Sequence, residues 1–145
     1  MFKFLITFKT LLLAAVMATS MQAQAAEDRI KVVYHLNEGL SQASRAMLNI
    51  KYHLTADPQA KIVVVAHGDG VEFMLEGAKS SSGAFFAGAV GDLANQGVEF
   101  RVCENTLNDR KISHAQLLME AKVVPSGVAE VARLQAREGF VYLRP

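Results

Sequence analysis

Three side chains able to do chemistry stand at the same kind of place in this sequence, the downstream end of a short apolar run. His35 closes the run Ile30 to Tyr34, His67 closes Lys61 to Ala66, and Cys103 closes Val98 to Cys103. Cys103 is the single cysteine. If the runs are strands, its thiol leaves a strand just before a helical turn, where backbone N–H groups stabilise thiolate, the reactive form. Arg101, two positions earlier, shares a sheet face with it and adds positive charge, which neighbouring Glu104 opposes, so the sign of the pKa shift stays open. Each of His35 and His67 reads equally well as a proton carrier or as a ring packed at a sheet edge. His53 and His114 fall on helical segments and read as structural.

Other chemistries fit less well. No pair of histidines has the short spacing of a zinc site, and a lone cysteine does not complete one. Gly83 and Gly88 have the interval of a phosphate-binding loop, but Ala89 and Val90 stand where Lys and Ser or Thr are needed. Gly68-Asp69-Gly70 follows a strand candidate without the third glycine of a dinucleotide fingerprint, so it predicts a tight turn. No serine occupies a G-x-S-x-G elbow. No cofactor is expected.

The elements that position these residues follow from periodicity. Ile30 to Tyr34, Lys61 to Ala66, Val98 to Cys103, Ala121 to Val124 and Phe140 to Leu143 are the strand candidates. Ile62 to Ala66 is apolar at every position, as in a parallel strand covered on both faces. Leu40, Ala43, Met47, Ile50 and Leu54 line one side of a helix that ends near Asp57-Pro58. Further helices are expected at Val71 to Glu76, Ala84 to Asn95, His114 to Glu120 and Val128 to Glu138, the last opened by Pro125-Ser126-Gly127. Gly77 to Gly83 reads as a solvated turn, with a mobile lid as the alternative. The alternation predicts a three-layer α/β/α sandwich with a mainly parallel sheet of about five strands. In such a sheet, ligands collect beyond the carboxyl ends of the strands, the edge that His35, His67 and Cys103 would share.

Composition bounds the setting. The 145 residues are 51% hydrophobic and 20% charged, enough apolar matter for one folded domain and too much for a disordered chain. Lys3 and Lys9 precede the apolar run Leu11 to Ala18, and small and polar residues lead to Ala23-Gln24-Ala25, the pattern of a cleavable secretory signal. The run is far shorter than the roughly 20 residues that span a bilayer, so stable membrane insertion is not expected after cleavage. Residues 1–25 thus read as the signal, and 26–145 as one periplasmic or secreted domain. Formal charge is +1 before cleavage, and loss of two lysines leaves the domain near neutral. That balance argues against nucleic acid as a partner.

The sequence also resembles the DsrE/DsrF-like family, in particular its small exported members. The resemblance rests on Lys31-Val32-Val33-Tyr34-His35-Leu36-Asn37, on Val63-Val64-Val65-Ala66-His67-Gly68-Asp69-Gly70-Val71, and on Phe100-Arg101-Val102-Cys103-Glu104-Asn105-Thr106-Leu107. It implies a three-layer α/β fold, homo-oligomers such as trimers or hexamers, and a cysteine that carries sulfur as a persulfide between protein donors and acceptors. Cys103 matches the family's conspicuous cysteine. His67 and His35 would then move protons or orient the thiol, with Asn105 or Thr106 as hydrogen-bond donors. Asn37, Gly68, Asp69, Gly70 and Arg101 complete the expected binding edge. The sulfur-relay members are cytoplasmic and work in sets, whereas this chain carries an export pattern. The alternative is a non-catalytic small-ligand-binding or assembly module in which Cys103 merely lines a pocket.

Overall fold

The computed structural model describes residues 29–145, so the secretory pattern at residues 1–25 lies outside the described residues. Five strands form one all-parallel sheet: β1 (Lys31–Leu36), β2 (Lys61–Ala66), β3 (Glu99–Cys103), β4 (Ala121–Val124) and β5 (Val141–Leu143). Their order is β4-β3-β2-β1-β5. The helices are α1 (Leu40–Ala56), α2 (Phe86–Asn95), α3 (Glu104–Asp109) and α4 (Gly127–Glu138), with 3₁₀ segments at Gly68–Met74 and His114–Gln116. This is the α/β/α sandwich expected from the alternation of elements.

The two faces of the sheet are unequal. From β1 to β4 the chain steps steadily in one direction, and α1, α2 and α3 cover the face that carries Val32, Tyr34, Leu36, Ile62, Val64, Phe100 and Val102. The connection from β4 to β5 returns across the whole sheet, and a reversed crossover of the same hand must run over the opposite face. There, among the described residues, α4 is the one helix, with Val131 and Leu134 against Val33, Val63 and Val65. The helices after β3 and β4 therefore leave on opposite faces, and the crevice between these strand ends is the switch point where parallel sheets place ligands.

Local chemistry explains most elements. The α1 stripe Ala43, Met47, Ile50 and Leu54 is buried as its spacing requires. Ser126 caps α4 by accepting from Ala129 N–H, and Gly139 closes it in the left-handed region at φ 72°.

Three expectations need correction. Only Val71 to Met74 of the stretch Val71 to Glu76 belongs to the 3₁₀ segment Gly68–Met74, after which Leu75 bridges Leu117, and His114 to Glu120 contains only a three-residue 3₁₀ turn, held by a capping box between Ser113 and Gln116. The stretch Gly77 to Gly83 is largely exposed and turns as expected. It forms most of a tight hairpin in which Lys79 bridges Phe85 and Ser80 N–H donates to Ala84 O at 2.9 Å. His35 also lies within β1, one residue before its end.

Candidate functional site

The thiol sits at the switch point. Cys103 is the last residue of β3 and the cap of α3, and its alternation places it, with Glu99 and Arg101, on the face covered by α4. His67 and His35 share that face, one and two strands away. The first residue of α4, Gly127, closes over the group: a Cβ built there would fall 3.0 Å from His67 Cβ and 3.1 Å from Cys103 Cβ. A larger residue there would need the helix start or the two side chains to give by a few tenths of an ångström.

Cys103 is 4% exposed, so the thiol is buried. It is not part of the apolar clusters that fill the two layers. Its surroundings are polar backbone. Burial pushes the thiol pKa up, but N–H groups of Gly127, Thr106 and Asn105 and the Thr106 hydroxyl favour thiolate, and the net shift is below the ordinary value of 9.0. The amides come from the first turns of two helices that converge on one sulfur. The Thr106 oxygen also accepts from Gly68 N–H at 3.0 Å, which ties the loop after β2 to α3.

Beside the thiol runs a short chain of titratable groups. His67 Nε2 and His35 Nε2 are 2.7 Å apart, with the rings stacked at 4.8 Å, and His35 Nδ1 lies 2.8 Å from the Tyr142 hydroxyl on β5. One proton fits between the imidazoles, and shifting it from one Nε2 to the other exchanges donor and acceptor along the chain. Burial lowers the pKa of both rings; at His35, the His67 and Arg144 charges lower it further. Both are therefore neutral near pH 7. Arg144 itself pairs with Glu38.

The remaining expected residues have separate places. Gly68 stands at φ 55° and accepts through its carbonyl from Arg110 at 3.2 Å, while Asp69 and Glu72 pair with the same guanidinium at 3.5 and 2.9 Å. Gly70 lies flat on the end of β1, where a Cβ would meet Leu36 O at 2.2 Å. Asn37 donates its N–H to Gln42 Oε1 at 2.9 Å, and its own Oδ1 is buried without a hydrogen-bond partner. Arg101 does not turn to the thiol: its guanidinium joins Glu99 at 2.8 Å and Glu130 of α4. Glu104 pairs with His114 at 2.7 Å, and His53 meets the Tyr34 hydroxyl at 3.0 Å.

Sequence reasoning missed Gly127, Tyr142 and Gln42. Pro125-Ser126-Gly127 did mark the start of α4, which was the available signal for Gly127. Tyr142 acts through a contact made across the fold, whereas Gln42 accepts locally from the Asn37 and Glu38 N–H groups. Among the described residues, no group of three or more His, Cys, Asp or Glu is arranged to hold a metal ion. No described helix is long and apolar enough to cross a membrane.

The switch-point thiol and the five-stranded parallel sheet define a small single-cysteine α/β protein. The family model described as DsrE/DsrF-like family matches residues 13–144, and the chain belongs to that family. Among solved structures it is similar to the protein of unknown function MTH1491 from Methanobacterium thermoautotrophicum, with 32% identity and a TM-score of 0.71 over 80% of this chain and 99% of that one. The ychN protein from E. coli shares the fold at 17% identity and a TM-score of 0.64, over 81% and 98% of the two chains. No curated protein matches the chain.

Proposed function

We propose that this protein accepts sulfane sulfur on Cys103, holds it as a persulfide and passes it to an acceptor thiol. The observation that carries this reading is the convergence of the Gly127, Asn105 and Thr106 amides on one sulfur beside an imidazole pair. Family membership, associated with sulfur relay, supports it.

The chemistry is thiol exchange. Cys103 thiolate attacks the outer sulfur of a donor R–S–SH. The donor S–S bond breaks, a Cys103 S–S bond forms, and R–S⁻ leaves with the electron pair. The terminal S–H of the new persulfide gives its proton to the His67–His35 pair, which returns it to the leaving thiolate. In the second half an acceptor thiolate takes the outer sulfur and regenerates Cys103 thiolate. The net transfer is redox-neutral and uses no cofactor.

Low exposure of the thiol favours a second reading, a ligand-binding or assembly module in which Cys103 only lines the wall. Export and homo-oligomeric assembly belong to both readings. They are supported by the leader pattern and by the apolar side chains of Val128, Val141, Tyr142 and Leu143, which face solvent around α4 and β5.

Intact-mass spectrometry after incubation with polysulfide separates the two. The carrier predicts one added sulfur on the wild type, none on Cys103→Ser, and its loss to a small acceptor thiol. A wild type that gains no sulfur while a control persulfide acceptor does contradicts the carrier.

A further inference from the structure

The ion pair between Arg101 and Glu130 occupies a defined position relative to the thiol. Arg101 precedes Cys103 by two residues on the same face of β3, and Glu130 follows Gly127 by about one turn of α4. Strand and helix therefore meet at two rungs: Cys103 against Gly127, and next to it Arg101 against Glu130. The second rung is shielded, with the Arg101 and Glu130 side chains 13% and 11% exposed.

We propose that Arg101 and Glu130 are positioning residues for Cys103, holding the first turn of α4 in the register that keeps the Gly127 amide on the sulfur. This rests on the reading of Cys103 as the working thiol. The rest of the α4 contact is mainly apolar, Val131 and Leu134 on Val33, Val63 and Val65, with one hydrogen bond from Lys31 Nζ to the Glu138 carbonyl at 3.1 Å at the far end. Apolar burial is non-directional and permits small slips along the helix axis. A guanidinium divided between two carboxylates does not: one Arg101 nitrogen holds Glu130 and the other holds Glu99 at 2.8 Å. Shielded ion pairs add little net stability and are best justified where they fix geometry.

Arg101 acts through the helix and not through its charge. The influences that favour thiolate are backbone and hydroxyl hydrogen bonds, and neither Arg101 nor Glu104 is among them. The groups around the pair are Lys122 and Glu99 from the sheet and Arg133 and Glu138 from α4; those around the thiol are His67 and Thr106, with His35 beyond. Arg133 also grips Glu130, at 2.8 Å, so the carboxylate keeps an ion pair on its own helix when the strand contact is cut.

The test is the pH profile of Cys103 alkylation in full-length Arg101→Met, Arg101→Lys, Glu130→Gln and Arg137→Gln. Arg101→Met and Glu130→Gln should raise the thiol midpoint by about one pH unit, with slower alkylation at neutral pH. Arg101→Lys should restore most of the profile. Arg137→Gln, exposed at the far end of α4, should leave it unchanged. Variants that lose thermal stability but keep the wild-type profile would overturn the positioning role. A wild-type midpoint at or above an ordinary cysteine's would instead overturn the underlying reading of Cys103. Should Arg101→Met not fold, Glu130→Gln decides alone.

Discussion

His35 and His67 are bonded to each other, Nε2 to Nε2 at 2.7 Å, although 32 residues separate them in the chain. Parallel pairing of β1 with β2 makes them neighbours, and the Tyr142 hydroxyl continues the line to the sheet edge. The pair can share one proton comfortably. A second would set N–H against N–H.

This arrangement makes stability depend on pH. Both histidines have folded-state pKa values below the ordinary 6.5. Below that value the unfolded chain binds more protons than the folded one, so stability is full above pH 6.5 and falls as pH drops toward the folded-state values. Urea midpoints near neutrality and at about pH 5 should show this loss, and His67→Gln should flatten it. An identical slope in the variant would remove the pair from the explanation.

Gly127→Ala tests the close approach. The new methyl would meet His67 Cβ at 3.0 Å and Cys103 Cβ at 3.1 Å, so the start of α4 or these side chains must give by a few tenths of an ångström. A destabilisation of about 1–3 kcal/mol is expected from overpacking. Sulfur loading should fall with it, whereas Gly97→Ala, at a turn with open space but φ 93°, should cost stability and spare loading. Parallel thermal melts and persulfide mass spectra give both readouts.

Thr106→Val removes one hydroxyl and keeps the shape. That hydroxyl accepts from Gly68 N–H and favours the Cys103 thiolate. The loss should cost about 1–3 kcal/mol, because a donor is left without its partner, and should raise the thiol midpoint. Alkylation against pH, with Thr106→Ser as the variant that recovers the midpoint, measures the second effect.

Tyr142→Phe cuts the outer end of the proton chain without touching the sulfur. Loading of Cys103 by polysulfide should persist, while steady-state transfer to an acceptor thiol should slow by about tenfold, a small share of what positioned acid–base groups contribute. Unchanged turnover would show that protons reach His35 by another route.

Much of this architecture was legible in the residues. Ile62 to Ala66 is buried throughout because it is the strand between β1 and β3, and its uninterrupted apolar character signals that position. His35, His67 and Cys103 were placed on one edge by counting strand ends alone. Gly68-Asp69-Gly70 was recognised as a turn, but not the pressure of Gly70 on the Leu36 carbonyl, which depends on a strand more than thirty residues upstream. The helices expected at Val71 to Glu76 and His114 to Glu120 are replaced by 3₁₀ turns as far as Met74 and Gln116, after which the two stretches pair with each other through Leu75 and Leu117, a long-range contact that the helical spacing of apolar residues does not show. Burial of Cys103 was not legible, because α4, which covers it, arrives over twenty residues later. The same distance hid the partner of Arg101. Its charge was weighed against the thiol, while its guanidinium is spent on Glu99 and Glu130.

The most direct measurement is the rate of Cys103 alkylation by a small reagent, followed against pH on the native protein and on the unfolded chain. A poised thiolate at the switch point predicts a native midpoint below the ordinary 9.0 and below that of the unfolded chain, with labelling that proceeds without unfolding. Native labelling that occurs only as fast as the protein unfolds, or a native midpoint above that of the unfolded chain, would contradict the account.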